Sequence, residues 1–414
     1  MSVFEIYLYL VAFFLIFLSN YFFVLYLLKK DEKIRLSLEE IKKKYGRLPK
    51  ILFIIPAYNE EDSIQATIES IEKINYPRDK FWILVVDDGS KDKTFEKAFE
   101  LTKKYNNLIV LKKLNGGKAD ALNYGLNYAL KNLDFDFFAI IDADTYLDKN
   151  YPLLLLAFDE RTLAVVPRIL PRNDKNLIEK LQKLEYSLSN FLKDLFSYYY
   201  SWYIVNTGAL VKKEALDIVG FFNKNSINED LDYGLRIIEK GYKVKYLPDV
   251  EIKTDVPNTL RKLIKQRIRW FYGWFIHTLE HINIFKKDLF LLALTTFYYN
   301  LLAFLIIIIL FLLRDFPKAL SNVKYIDLSY IINSYRDFNI FEYIYLNLTN
   351  RVWILFTISL ILALIYHFII KKHNKVRISV IISYIYLAYY WMILAISQLL
   401  ALINVIRRKK KWWR

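Results

Sequence analysis

The stretch that decides the fold is ILFIIPAYNEEDSIQATIESIEKINYPRDKFWILVVDDGS, residues 51–90. Ile51 to Ile55 is a short β-type run ending at Pro56, and Phe81 to Val86 is a second. Between them, Ser63 to Ile74 carries Ile64, Ile68 and Ile71 at helical spacing. The alternation continues downstream. A helix is expected over roughly 93–105, a strand at Leu108–Leu111, a helix near Ala119–Leu130 and a strand at Phe135–Ile141. Leu163–Ile169 and Lys243–Leu247 read as further strands, and Lys175–Tyr200 as a helix. Strands alternating with helices predict an α/β fold, a mostly parallel sheet with right-handed crossovers. Ligands of such sheets sit at the carboxyl ends of the strands. Asn59 and Glu60, Asp87 and Asp88, and Asp142 and Asp144 all fall at those ends.

The flanks read differently. The chain has 414 residues and is 55% hydrophobic, too much for one soluble domain. The excess lies in uncharged runs at 6–28, 289–313 and 378–406, with a fourth at 352–370 whose only ionisable residue is His367. A helix needs about 20 apolar residues to cross the hydrocarbon core, so all four are candidate spans. The first run lacks a basic leader and a small-residue cleavage site, and reads as an uncleaved anchor. Lys29, Lys30, Lys33 and Arg35 follow it, which places the middle of the chain in the cytoplasm. Run 289–313 then exits and 352–370 returns; a broken hairpin over 378–406, with its break near Ala388–Trp391, keeps the basic tail inside. Much of the formal net charge of +16 lies beside these runs, at Lys371, Lys372, Lys375 and Arg377 and in the tail after Ile406. That placement suits anionic lipid head groups and argues against nucleic acid. With no cysteine, disulfides, thiolate metal sites and palmitoylation are excluded.

Several short motifs carry chemistry. In Asp142-Ala143-Asp144, residues two apart on an extended backbone point the same way, so both carboxylates can face one ion. Such oxygen ligands suit Mg²⁺ or Mn²⁺, which also bind diphosphates; the same triplet is frequent in turns and caps. Asp87-Asp88-Gly89-Ser90 reads either as a turn with a helix cap or as carboxylate recognition of a base and ribose. Gly116-Gly117-Lys118 is either a plain loop or a phosphate cradle with a compensating charge. Asn228-Glu229-Asp230 opens a helix, where acids favour the macrodipole in any case. After Pro257, Leu260, Ile264, Ile268, Phe271, Phe275 and Leu279 form an apolar stripe that fits a helix lying in a membrane interface, or one facing a core. Gln266, Arg269, Trp270 and Gly273 share the opposite face, toward the domain before them.

Taken in this order, the stretches IPAYNEEDSI, VVDDGSKDKT, GGKADALNYGL, IIDADT, VNTGALVKKEAL, INEDLDYGLRI and QRIRW resemble the inverting glycosyltransferase family 2 over about Lys50 to Gly273. The last two together resemble its processive membrane branch, which includes cellulose, hyaluronan and poly-N-acetylglucosamine synthases; size and layout are closest to the last of these. The resemblance implies a glycosyltransferase A-type domain. It implies that Asp88 contacts the base or ribose, with Ala57, Tyr58 and Glu60 nearby, and that Lys118 sits beside the nucleotide. Asp142 and Asp144 would form the metal motif, Asp144 being the direct ligand. Asp230 would be the general base. Gln266 and Arg269 would hold the diphosphate; Trp270 would border the acceptor sugar, and Thr207, Gly208 and Ala209 would line its site.

The expected organisation is an anchor at 1–28, a charged linker at 29–49, a cytoplasmic glycosyltransferase domain at 50–256, an interfacial amphipathic region at 257–288, a transmembrane region at 289–406 and a basic tail at 407–414. The implied activity is transfer from a nucleotide-sugar, a UDP-sugar first, to a growing glycan at a multi-pass cell-membrane enzyme that needs Mg²⁺ or Mn²⁺. The alternative is a single addition to a lipid carrier or glycolipid. Three departures stand out. Residues 274–290 lack the cellulose synthases' gating-loop motif, Asn228 stands where many synthases have Thr, and one N-terminal run is present where the poly-N-acetylglucosamine synthases usually show two.

Overall fold

The computed structural model describes residues 37–199, 201–202, 204–287, 368, 379–386 and 390–407. The chain divides into two compact units, 29–291 with 400–414, and 1–28 with 292–399. The larger unit opens with α1 (Leu38–Tyr45) inside the expected linker. Ser37 caps it by accepting the Glu40 amide at 3.2 Å, and Gly46 ends it in the left-handed region. Ile41 is fully buried, and the Tyr45 hydroxyl donates to the Leu155 carbonyl at 2.8 Å, so this helix packs onto the domain that follows.

That domain runs β1 (Ile51–Ala57), α2 (Ile64–Glu72), β2 (Phe81–Asp87), α3 (Thr94–Glu100), β3 (Leu108–Lys112), α4 (Lys118–Asn132), β4 (Phe137–Ile140), β5 (Thr145–Leu147), β6 (Thr162–Pro171), α5 (Leu177–Tyr199), β7 (Leu210–Lys212), α6 (Ala215–Ile218), α7 (Glu229–Glu239), β8 (Lys243–Thr254), α8 (Leu260–Glu280) and α9 (Ile282–Lys287). One eight-stranded sheet has the order β3-β2-β1-β4-β7-β6-β8-β5. The first four are parallel, as are β6 and β8; β7 and β5 pair antiparallel to their neighbours. β1 sits between β2 and β4, and the apolar side chains of Ile51–Ile55 are all fully buried. A strand covered on both faces needs an unbroken apolar run, which is why 51–55 and 81–86 are legible as strands. Ile64, Ile68 and Ile71 of α2 are likewise fully buried against it.

The structure departs from the sequence reading at the weaker elements. β5 and β7 have three residues each, too few to show a period. β8 runs on past Leu247 to Thr254, because its pairing with β6 shifts register between Pro167 and Arg168 and so absorbs Pro248 in an irregularity. The turn into β7 depends on Gly208, at φ +79, where an added Cβ would lie 2.3 Å from Ile252 Cδ1 and 3.0 Å from Pro167 Cγ. Gly208→Ala is expected to cost about 2–4 kcal/mol, from left-handed strain plus overpacking. Chemical denaturation of the variant measures this; an unchanged midpoint would show that the sheet yields at no cost.

No helix among the described residues is long and apolar enough to cross a membrane. The expected runs at 6–28 and 289–313, and 352–370 apart from Phe368, lie outside the described residues, as does the tail from 408. Within 378–406 there are α10 (Val380–Ile385) and α11 (Trp391–Ile406). Of the expected break near Ala388–Trp391, residues 388 and 389 lie outside the described residues and Trp391 opens α11. The stripe on α8 does not form one open face. Leu260 and Leu279 at its ends are exposed, whereas Ile268, Phe271 and Phe275 are buried.

Candidate active site

The β1–α2 and β2–α3 loops are laced together at the carboxyl end of the sheet. Asn59 takes φ +57, uncommon for a residue with a side chain. Its amide donates to Ser90 Oγ at 3.0 Å and its Oδ1 accepts the Lys91 amide at 2.9 Å. The Glu60 amide donates to Thr94 Oγ1 at 2.7 Å. Tyr58 is left exposed and Glu60 half-buried, while Ala57 is enclosed in the strand.

Asp88 is buried and both its oxygens are engaged within the chain. Oδ1 accepts from Lys113 Nζ at 2.6 Å and from the Gly116 amide at 2.9 Å; Oδ2 accepts the Gly117 amide at 2.7 Å. Lys113 also reaches Asp120 at 2.6 Å. Asp88 therefore sets the conformation of the Gly116-Gly117 loop and, through it, the position of Lys118 at the start of α4. The amides of the glycine loop thus lie on a carboxylate of the chain itself.

Lys118 is the link across the crevice. Its Nζ lies 2.7 Å from Asp142 Oδ1 and 2.9 Å from Glu229 Oε1. Burial works against its charge, but Asp142, Glu229 and Asp230 outweigh it and hold its pKa well above the ordinary lysine value. Asp144 forms no ion pair among the described residues, and Lys118 opposes its rise only as the smallest of the effects on it. Burial, then the carboxylates of Asp142, Glu60 and Asp255, push its pKa up to about 7. Glu60 is raised too, by burial first and then by Asp142, Asp92 and Asp255. Such a surplus of carboxylate charge fits a hard divalent cation with oxygen ligands, and Asp144 with Asp142 would hold it. The Asp142 amide donates to Thr207 Oγ1 at 2.9 Å, so Thr207 braces this turn.

Asp230 is half-buried at the first turn of α7. Its Oδ1 accepts the Leu231 amide at 2.8 Å and its carbonyl accepts the Val205 amide at 3.0 Å. Burial and then Glu229 raise its pKa to about 6, against the opposing pull of Lys118 and Arg269. α8 crosses this turn closely. Asn228 Nδ2 donates to the Trp270 carbonyl at 3.1 Å, and a Cβ on Gly273 would meet the Asn228 side chain at 2.4 Å. The face of Gln266, Arg269, Trp270 and Gly273 thus does look toward the domain.

The structure brings together Lys118, Asp142, Asp144, Glu60, Asp230 and Arg269, with Trp270 joined to them through Asn228. It does not bring Gly208 and Ala209 to the crevice surface. Both are buried, and the Gly208 carbonyl accepts from the Tyr151 hydroxyl at 2.9 Å. Two partners escaped the sequence reading. Asp255, beside Asp144, pairs with Arg172 through two contacts of 2.7 Å. Arg267 is 1% exposed, pairs with Glu185 of α5, lies 4.0 Å over the Trp270 ring and donates to Gln266 Oε1 at 2.5 Å. A sequence signal for it existed: Arg267 lies on the same helical face as Leu263, Phe271 and Trp274, and a charge inside an apolar stripe requires a buried partner.

The family described as glycosyltransferase like family 2 matches residues 49–273. A poly-beta-1,6-N-acetyl-D-glucosamine synthase of Staphylococcus epidermidis is 30% identical over 413 residues, covering 96% of this chain and 94% of its own length. Its namesake in Staphylococcus aureus (strain MSSA476) is 33% identical over 233 residues, 54% of each chain. A mannosyltransferase from Pyrobaculum calidifontis, solved with GDP-Man and Mn²⁺, shares the fold with a TM-score of 0.60 at 20% identity, over 98% of this chain and 99% of its own. The family match, from residue 49 to Gly273, spans more than half of the chain: the chain belongs to glycosyltransferase-like family 2.

Proposed function

We propose that the chain is a membrane-bound inverting glycosyltransferase that extends a glycan processively from a UDP-sugar, with its catalytic domain in the cytoplasm. The observation that carries the reading is Lys118, whose ammonium joins Asp142 of the acidic triplet to Glu229 beside Asp230. A donor side and an acceptor side thereby share one crevice. The near full-length similarity to a poly-N-acetylglucosamine synthase supports a glycan as acceptor and an N-acetylglucosamine nucleotide as donor.

The chemistry follows from the charges. An acceptor hydroxyl has a very high pKa, so Asp230 takes its proton as the new bond forms. Attack on the face opposite the leaving group inverts the anomeric centre. The departing nucleoside diphosphate gains negative charge, which Gln266 and Arg269 receive from α8 and Lys118 from α4. A divalent cation held by Asp144 and Asp142 would supply further compensation for that charge. Trp270 offers an aromatic plane to the acceptor sugar, its orientation fixed by Arg267 on the ring and by Asn228 on its carbonyl.

The test is the full-length protein in detergent or nanodiscs with a panel of labelled nucleotide-sugars and Mn²⁺ or Mg²⁺. A polymer from a UDP-sugar is the expected product. A single sugar on a lipid would replace the polymerase reading with addition to a lipid carrier. In the same assay Trp270→Ala is expected to lower transfer about tenfold or more while donor binding stays within about threefold. Equal loss of both would refute an acceptor role for Trp270.

A further inference from the structure

Away from the crevice, the far end of α8 meets α7 through Asp232, His277, Glu280 and His281. Each offers one ligand atom, and those four atoms lie within 4.8 Å of one another. His277, Glu280 and His281 stand at i, i+3 and i+4, the first two on α8 and His281 as its C-cap. Asp232 comes from the first turns of α7. Asp232, His277 and His281 are buried, and the Glu280 side chain is 52% exposed, which leaves one open approach.

Each buried ligand is held from behind. His281 Nδ1 is 2.7 Å from Glu239 Oε1, so its Nε2 faces inward, 3.6 Å from Asp232 Oδ1. His277 Nε2 is 2.8 Å from Ser226 Oγ, so its Nδ1 faces Glu280 Oε2 at 2.7 Å. Asp232 Oδ2 accepts from Arg236 Nε at 2.9 Å and lies 2.8 Å from its Nη2, which leaves Oδ1 to the cluster. Outer partners that fix the ring and leave one nitrogen pointing inward are what metal-binding histidines need. A tetrahedral ion with bonds of about 2.0–2.1 Å sets neighbouring ligands about 3.4 Å apart. The His281–Asp232 distance is already close to that, and the half-exposed Glu280 can open the shorter one. Asp232, Glu239 and Glu280 bring three carboxylates to the two imidazoles while Arg236 pairs with Asp232, a surplus of negative charge that a divalent cation balances.

We propose that Asp232, His277, Glu280 and His281 form a binding site for a zinc-type transition-metal ion that ties α8 to α7. Two imidazoles and two carboxylates suit Zn²⁺ and set the site apart from the oxygen ligands at Asp144. The site fixes the helix carrying Gln266, Arg269 and Trp270 against the helix whose first turn holds Asp230, and it stands whether or not the reading of the crevice holds.

The full-length chain, stripped with chelator and dialysed, is titrated with Co²⁺ and then with Zn²⁺. Visible absorption of tetrahedral Co²⁺ at about one equivalent per chain, displaced by Zn²⁺, is expected. It should persist in Asp144→Asn, which lacks the other carboxylate site, and vanish in His277→Gln and His281→Gln. Zn²⁺ should raise the melting temperature of the wild type and of Asp144→Asn but not of His281→Gln. Glu280→Gln, at a half-exposed position that leaves the core intact, should weaken Co²⁺ binding about tenfold or more. Absence of the absorption from the wild type, or its survival at wild-type affinity in the histidine or Glu280 variants, overturns the site and leaves a metal-free histidine–carboxylate cluster.

Discussion

Asp230→Asn is expected to lower turnover by about 10²–10⁴-fold while donor affinity stays within about threefold. Asparagine keeps the shape of the side chain and its acceptance of the Leu231 amide, now 2.8 Å from Oδ1. It loses the negative charge and with it the capacity to take a proton. The electrostatics of the turn set the pH dependence. Burial and Glu229 raise the Asp230 pKa to about 6, so the carboxyl is protonated below that pH and ionised above it. A base works only when ionised. Activity in the wild type should therefore rise with pH along a limb centred near pH 6, and the residual activity of Asp230→Asn should lack that limb. Initial rates with acceptor in excess measure both. A variant that retains wild-type turnover, or the same acidic limb, would move the base elsewhere.

The parts of the fold that were legible in sequence are those whose burial leaves a pattern. β1 and β2 are covered on both faces, and their apolar runs say so. β5 and β7 are short pieces whose existence depends on partners distant in sequence, β8 for one and β4 and β6 for the other. Glu60, Asp142 and Asp144 were legible because each follows a strand, and the topology of a parallel sheet puts such loops together; Asp230 opens a helix and was legible only through its motif. Their partners were not legible, since a contact between Lys118 and Glu229 or between Arg267 and Glu185 has no local signature. Asp88 marks the limit from the other side. Its motif reads equally as a ligand contact or as a turn, and only the structure reveals that Gly116, Gly117 and Lys113 occupy its oxygens. Gly208 is a similar case, since its place in a motif reads equally as a sugar contact or as backbone geometry, and the structure adds that its φ of +79 and close neighbours demand a glycine before β7.

Chelation is expected to abolish transfer, and Mg²⁺ or Mn²⁺ to restore it. Asp144 carries the argument: burial together with Asp142, Glu60 and Asp255 makes its ionised form costly unless a cation joins them. Lys118 compensates Asp142 and Glu229, at 2.7 Å and 2.9 Å, and so leaves the charge at Asp144 for a second cation. Removing that carboxylate in Asp144→Asn should reduce turnover by about 10²-fold or more, as loss of a group that stabilises the leaving diphosphate does elsewhere. A chelator would strip the histidine cluster on α7 and α8 as well, so the identity of the restoring ion decides between the sites. Mg²⁺ takes oxygen ligands and dehydrates reluctantly, so it fills a carboxylate site and passes over two imidazoles. Recovery with Mg²⁺ alone therefore assigns the requirement to Asp144, whereas full activity in chelator, or recovery with Zn²⁺ only, would take the reacting diphosphate away from the acidic triplet.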